Sequence, residues 1–184
     1  MIEARAVRRP GLQTGALQAV VAALGLAALA ARAPGYGALV VTTAVGLVAM
    51  SMPQDRLTNA DKNLARRLLV TGAGSAAFFA ARSLGPGLVV KATPLFIFAN
   101  SLAAIAEEAF FRRFLYARLT RLGPGAAVAI TALAFALVHV PAYGWEVLPI
   151  DMAAGLVLGW QRWASQSWLA PALTHLLANL MQIR

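Results

Sequence analysis

The chain has 184 residues, 60% of them hydrophobic and 12% charged, with a mean hydropathy of +0.69 and a formal charge of +9. A soluble domain carries about 25% charged residues, so the composition argues against a water-soluble globular protein; the absence of cysteine removes disulfides, thiolate metal sites and thiol nucleophiles. The cations fall at the ends of apolar runs rather than on one patch, which is the pattern of membrane topology signals and not of nucleic-acid binding.

Apolar runs near the ~20 residues needed to cross a bilayer recur along the chain. They predict an all-α, polytopic transmembrane helical bundle of about seven segments. The first covers residues 11–31 and ends at Ala33-Pro34-Gly35. It is long for a signal-peptide core, has no clear A-x-A site and is followed by further spans, so a removable leader is not expected. The second, 36–52, is closed by Pro53, and residues 54–63 form the one clearly hydrophilic loop. The third, 64–84, opens beside Arg66 and Arg67 and stops at Gly85-Pro86-Gly87. The fourth, 88–122, is too long for one straight span and carries Pro94, which predicts a kink or an interfacial entry turn there. Gly123-Pro124-Gly125 separates it from the fifth, 126–140; a turn over 141–145 leads to the sixth, 147–163, and the seventh covers 168–183.

With the N-terminus in the cytoplasm, alternating segments place twelve basic residues inside: Arg5, Arg8, Arg9, Arg56, Lys62, Arg66, Arg67, Arg112, Arg113, Arg118, Arg121 and Arg162. Four fall outside: Arg32, Arg82, Lys91 and Arg184. The asymmetry predicts a multi-pass protein with its N-terminus cytoplasmic and its C-terminus outside. Trp160, Trp163 and Trp168 suit an interfacial aromatic belt.

Ionisable groups at membrane depth cost roughly 2.5–3.5 kcal/mol each even on a lenient scale, so they need partners or a polar cavity. Those within the apolar runs are Glu107, Glu108, Arg112, His139, Asp151 and His175, joined by the amides Asn100 and Asn179. Glu108 and Arg112 stand four apart with the acid first, the favourable order for a helical ion pair. Glu107 points about 100° away from Glu108, has no partner on its own helix, and is placed to serve as a general base. Phe135 and His139 share a helix face at i, i+4, and so do His175 and Asn179. The latter pair can present two N–H donors to one point, as an oxyanion requires. Asp151 is expected only to anchor the outer end of the sixth helix, and Asn100 to be a packing amide.

The joint pattern resembles the membrane-protease family that includes the type II CAAX prenyl endopeptidases and the bacterial Abi or CPBP proteins. Its Glu-Glu-x-x-x-Arg, Phe-x-x-x-His and His-x-x-x-Asn motifs read here as EEAFFR (107–112), FALVH (135–139) and HLLAN (175–179). The lead-in GLVLGWQRWASQSWLAPALTH is similar to the family's Gly-rich helix and following turn, with Ser167-Trp168-Leu169 in a different order. The resemblance spans residues 94–180, so residues 94–184 are expected to form the catalytic core helices and 1–93 an N-terminal set of transmembrane helices, within one integral membrane domain. It implies a glutamic-type intramembrane endopeptidase without a cofactor. Glu107 would activate the attacking water, His139 would help hold it, His175 and Asn179 would stabilise the oxyanion, and Glu108 would pair with Arg112.

Zinc is the alternative chemistry, since Glu107, Glu108, His139 and His175 also suit a metal, although HExxH is absent. A non-catalytic immunity or scaffold protein is the alternative class; it would not need all six residues. A proton-relay transporter would not need the His175/Asn179 pair. The Ala-, Arg- and Gly-rich composition points to a bacterial inner membrane, where prenylated tails are not expected. The expected partners are therefore the lipid bilayer and a membrane-anchored protein substrate, taken through its C-terminal tail.

Overall fold

In the computed structural model, residues 12–32, 36–53, 63–84 and 93–181 are described. The expected turns at 33–35 and 85–87, most of the loop 54–63, and Arg5, Arg8, Arg9, Arg56, Lys62, Lys91 and Arg184 lie outside them.

The described chain is all-α and falls into seven helical segments. In chain order these are α1 (Leu12–Ala30), α2 (Tyr36–Ser51), α3 (Leu64–Leu84), α4 (Pro94–Leu122), α5 (Pro124–Tyr143), α6 (Leu148–Ser165) and α7 (Leu169–Leu180). A short 3-10 turn, Trp145–Val147, links α5 to α6. Two helices, α4 and α5, are long and apolar enough to cross a membrane, while the apolar part of α1, α2 and α7 are shorter.

Of two prolines with expected roles, Pro94 marks a helix entry rather than a kink, and Pro141 departs from its expected role. Pro94 does not kink a helix but opens α4 at its first position, where its missing N–H costs nothing and Thr93 caps the Phe96 N–H. Pro141 does not end α5, which continues to Tyr143 and stops at Gly144, whose φ of 87° suits glycine.

The length of α4, 29 residues, is absorbed by a π-helical stretch, Ala109–Leu115, directly after the two glutamates. The widened turn carries Phe110, Phe111 and Phe114 into the core with Phe135 and leaves Arg112 wholly buried. Arg162 on α6 supports this stretch: its Nε donates to the Arg112 carbonyl at 2.9 Å and its guanidinium lies 5.0 Å over the Tyr116 ring. Arg162 was expected as an inside-facing flank charge and is buried, as is Arg112, which was counted on that side and expected to pair with Glu108.

Lipid tails are as apolar as leucine, so helices in a bilayer associate through close packing and cross-helix hydrogen bonds. Small residues permit that approach here. A Cβ on Gly46 of α2 would stand 2.7 Å from the Cα of Ala106 on α4, and one on Gly155 of α6 would stand 2.8 Å from the Cα of Ala132 on α5. Helices α2 and α4 run side by side in the same direction. Where α2 ends, Arg113 of α4 donates to the Ala49 carbonyl (2.6 Å) and Arg118 to the Pro53 carbonyl (2.9 Å), giving the last turn the cations it favours. On the other flank, Gln161 of α6 donates to Val70 O of α3 and Thr174 Oγ1 of α7, and the Thr174 and Ser75 hydroxyls meet at 3.2 Å. This polar clamp ties α3 to the later helices.

Candidate active site

Five helices and one helix end converge on the two glutamates of α4. Adjacent residues on a helix diverge by about 100°, and Glu107 and Glu108 accordingly serve opposite sides.

Glu108 is fully buried and collects the C-terminal helices. Its Oε1 accepts from Arg112 Nη1 at 2.8 Å, the expected i, i+4 pair, and from His175 Nδ1 of α7 at 3.0 Å. Arg112 Nη2 donates onward to the Gly155 carbonyl of α6 at 3.2 Å, and its guanidinium lies 4.8 Å from the Phe135 ring centre. Asn179, one turn beyond His175, donates to the backbone carbonyl of Asn100 at 3.3 Å. Asn100 contributes its backbone carbonyl to this contact.

Glu107 faces the other way and keeps 6% of its surface accessible. Its Oε1 accepts a 2.7 Å hydrogen bond from Arg32 Nη1, and His139 Nε2 lies 3.6 Å from the same oxygen. Arg32, just past the end of α1, also donates to Thr42 Oγ1 of α2 at 2.8 Å. His139 Nδ1 donates to the Phe135 carbonyl at 2.8 Å and stands 3.5 Å from Asp151 Oδ2 in the first turn of α6. A carbonyl only accepts, so Nδ1 carries a proton and Nε2 is the ring nitrogen that faces Glu107. Asp151 therefore does more than anchor a helix end.

Phe135 holds the two halves together. Its ring is 4.7 Å from the His139 ring and 5.7 Å from the His175 ring, and Arg112 covers it. The Phe-x-x-x-His spacing is thus a steric one: the phenyl ring sets the separation of both imidazoles.

The structure brings five of the six expected residues together, Glu107, Glu108, Arg112, His139 and His175, while Asn179 stands one turn beyond His175 and meets Asn100, two turns before the glutamates. It adds Arg32, Thr42 and Asp151. Arg32 reads in the sequence as an outside flank charge; the one hint of another role is that it is a lone cation at a corner where the positive-inside rule leaves few. Among the described residues no three His, Asp or Glu side chains converge as a metal-binding group.

The interior of this all-helical bundle thus gathers carboxylates, imidazoles and an arginine. Residues 89–181, half of the chain, match the family model described as type II CAAX prenyl endopeptidase Rce1-like, and the chain belongs to this family of membrane-integral proteases. The match covers all three motifs. No curated protein and no solved structure gives a match.

Proposed function

We propose that the protein is a glutamic-type intramembrane endopeptidase that hydrolyses a peptide bond near the C-terminal tail of a membrane-anchored protein. The observation carrying this reading is the convergence of Glu107 Oε1 and His139 Nε2, 3.6 Å apart on two different helices. With Nε2 unprotonated in the working enzyme, the two atoms can each take one O–H of a single water, which turns the water's lone pair outward to a carbonyl carbon. Glu107 removes the proton as the C–O bond forms, and delivers it to the departing amine as the C–N bond breaks. Of the two glutamates, Glu107 suits this role because it keeps some accessible surface, whereas Glu108 is closed off by Arg112 and His175.

The oxyanion falls to His175 and Asn179. His175 Nδ1 is committed to Glu108, which leaves Nε2 to meet the oxyanion. Asn179 spends one amide N–H on Asn100 and retains the second. No cofactor enters this scheme.

Residues 94–184 supply the reacting groups, and the earlier helices complete the bundle. The chain is read as multi-pass, in a bacterial inner membrane, with its N-terminus cytoplasmic. Thr42, level with Arg32 and Glu107, lies about 9 Å from the start of α2 and about 14 Å from its end at 1.5 Å per residue. The α2 terminus capped by Arg113 and Arg118 is the cation-rich, cytoplasmic side, so the site lies in the outer half of the bilayer.

The test is processing of tail-anchored substrates in cells carrying wild type, Glu107→Gln or His139→Ala, with insertion checked and with or without a zinc chelator. Loss of processing in both variants, with chelator resistance in the wild type, is expected. Unchanged processing in correctly inserted variants would leave a scaffold or immunity role; loss with chelator alone would favour zinc.

A further inference from the structure

Resting on that reading, we propose that Arg32, from the helix hairpin that precedes the family-matched region, is the positioning residue for Glu107. The matched region begins at residue 89, so nothing in it accounts for this arginine. Its side chain is nonetheless only 6% exposed and donates from Nη1 to Glu107 Oε1 at 2.7 Å, the distance of a charge-assisted bond. His139, at 3.6 Å, is beyond direct hydrogen-bond reach of the same oxygen. Among the described residues the Arg32 bond is therefore the direct tether on the Glu107 carboxylate.

The consequence is geometric. A glutamate side chain has three rotatable bonds, and a base must hold its oxygen within a fraction of an ångström of the water proton. Oε1 is fixed from the α1 side by Arg32, and Arg32 is fixed in turn by Thr42 Oγ1 of α2 at 2.8 Å. Placement at the end of α1 also favours a cation, because the helix terminus carries partial negative charge. The backbone beneath is equally constrained, since Gly46 of α2 lets Ala106, the residue before Glu107, pack directly against that helix. Helices α1 and α2 thus aim the base and are more than membrane anchors.

The experiment compares wild type with Arg32→Gln, Arg32→Lys and Thr42→Val in steady-state cleavage of a tail-anchored peptide in proteoliposomes. Arg121→Gln, at the exposed far end of α4, is the control. Misplacing a reacting group by about 1 Å costs on the order of 10²-fold in rate. Arg32→Gln is expected to lower kcat by about that factor with KM nearly unchanged; Arg32→Lys recovers part of it, Thr42→Val loses less, and the control matches wild type. A stability cycle in detergent with Arg32→Gln, Glu107→Gln and the double variant reads the pairing without any substrate. Coupled residues give a double variant that melts no lower than the worse single variant. Undiminished kcat in Arg32→Gln, or a loss of kcat without coupling in the cycle, overturns the proposal. A wild type that cleaves no tail while the coupling persists counts against the protease reading and for the pairing.

Discussion

The Glu108–Arg112 pair is the most exacting place to perturb this bundle, because both side chains are 0% exposed. Replacing Arg112 with methionine keeps an unbranched side chain but leaves Glu108 with His175 as its remaining partner and removes the donor to the Gly155 carbonyl. Breaking a buried ion pair from one side costs about 3–5 kcal/mol, since the stranded charge keeps its desolvation penalty. For a chain of this length each kcal/mol moves the melting temperature by roughly 2–4 °C. Arg112→Met is therefore expected to lower Tm by about 6–20 °C, read by tryptophan fluorescence of the purified protein in detergent. Glu108→Gln combined with Arg112→Met removes both charges and should recover much of the loss. Glu108 Oε2 and Arg112 Nε have no hydrogen-bond partner among the described residues, so the native pair is not fully satisfied either. A drop below about 2 °C in the single variant, or a double variant less stable than the single, would refute the reasoning.

Other expectations follow from the packing and the orientation. Gly46→Val places a branched side chain where even a Cβ meets the Ala106 Cα at 2.7 Å; it should cost about 1–3 kcal/mol and depress cleavage by shifting Glu107, measured as Tm and kcat together. Phe135→Ala should remove about 3–5 kcal/mol and release both imidazoles, so that Phe135→Leu retains far more activity than Phe135→Ala. Because the chain has no cysteine, single cysteines report sidedness cleanly. Trp145→Cys, in the exposed turn after α5, should react with a membrane-impermeant maleimide on intact cells, and Leu122→Cys, exposed at the end of α4, only after permeabilisation. The reverse pattern would invert the orientation and move the site to the cytoplasmic half.

What was legible in the sequence is what depends on local spacing. The seven helices follow from apolar runs between Gly and Pro punctuation, and the Glu108–Arg112 pair and the Phe135–His139 stack follow from i, i+4 geometry. The partner of Glu107 was not legible, because Arg32 lies 75 residues away and is brought in by packing between helices. The π turn over 109–115 shifts the face on which the later residues of α4 emerge, and a uniform 3.6-residue period cannot anticipate that. Asp151 reads as a helix-end acid, and it is one; its place beside His139 comes from the short α5–α6 corner that brings the end of one helix to the start of the next.

The most direct test of the central claim is single-turnover cleavage of a tail-anchored peptide by purified protein in proteoliposomes, with both fragments identified by mass spectrometry. Wild type, Glu107→Gln and Glu107→Asp would be compared after melting curves establish that each is folded. The account predicts specific cleavage by the wild type and a loss of about 10²–10⁴-fold in Glu107→Gln, the range for a general base. Glu107→Asp should retain a measurable fraction. A folded Glu107→Gln that cleaves at the wild-type rate would contradict the assignment of Glu107 as the base that activates water.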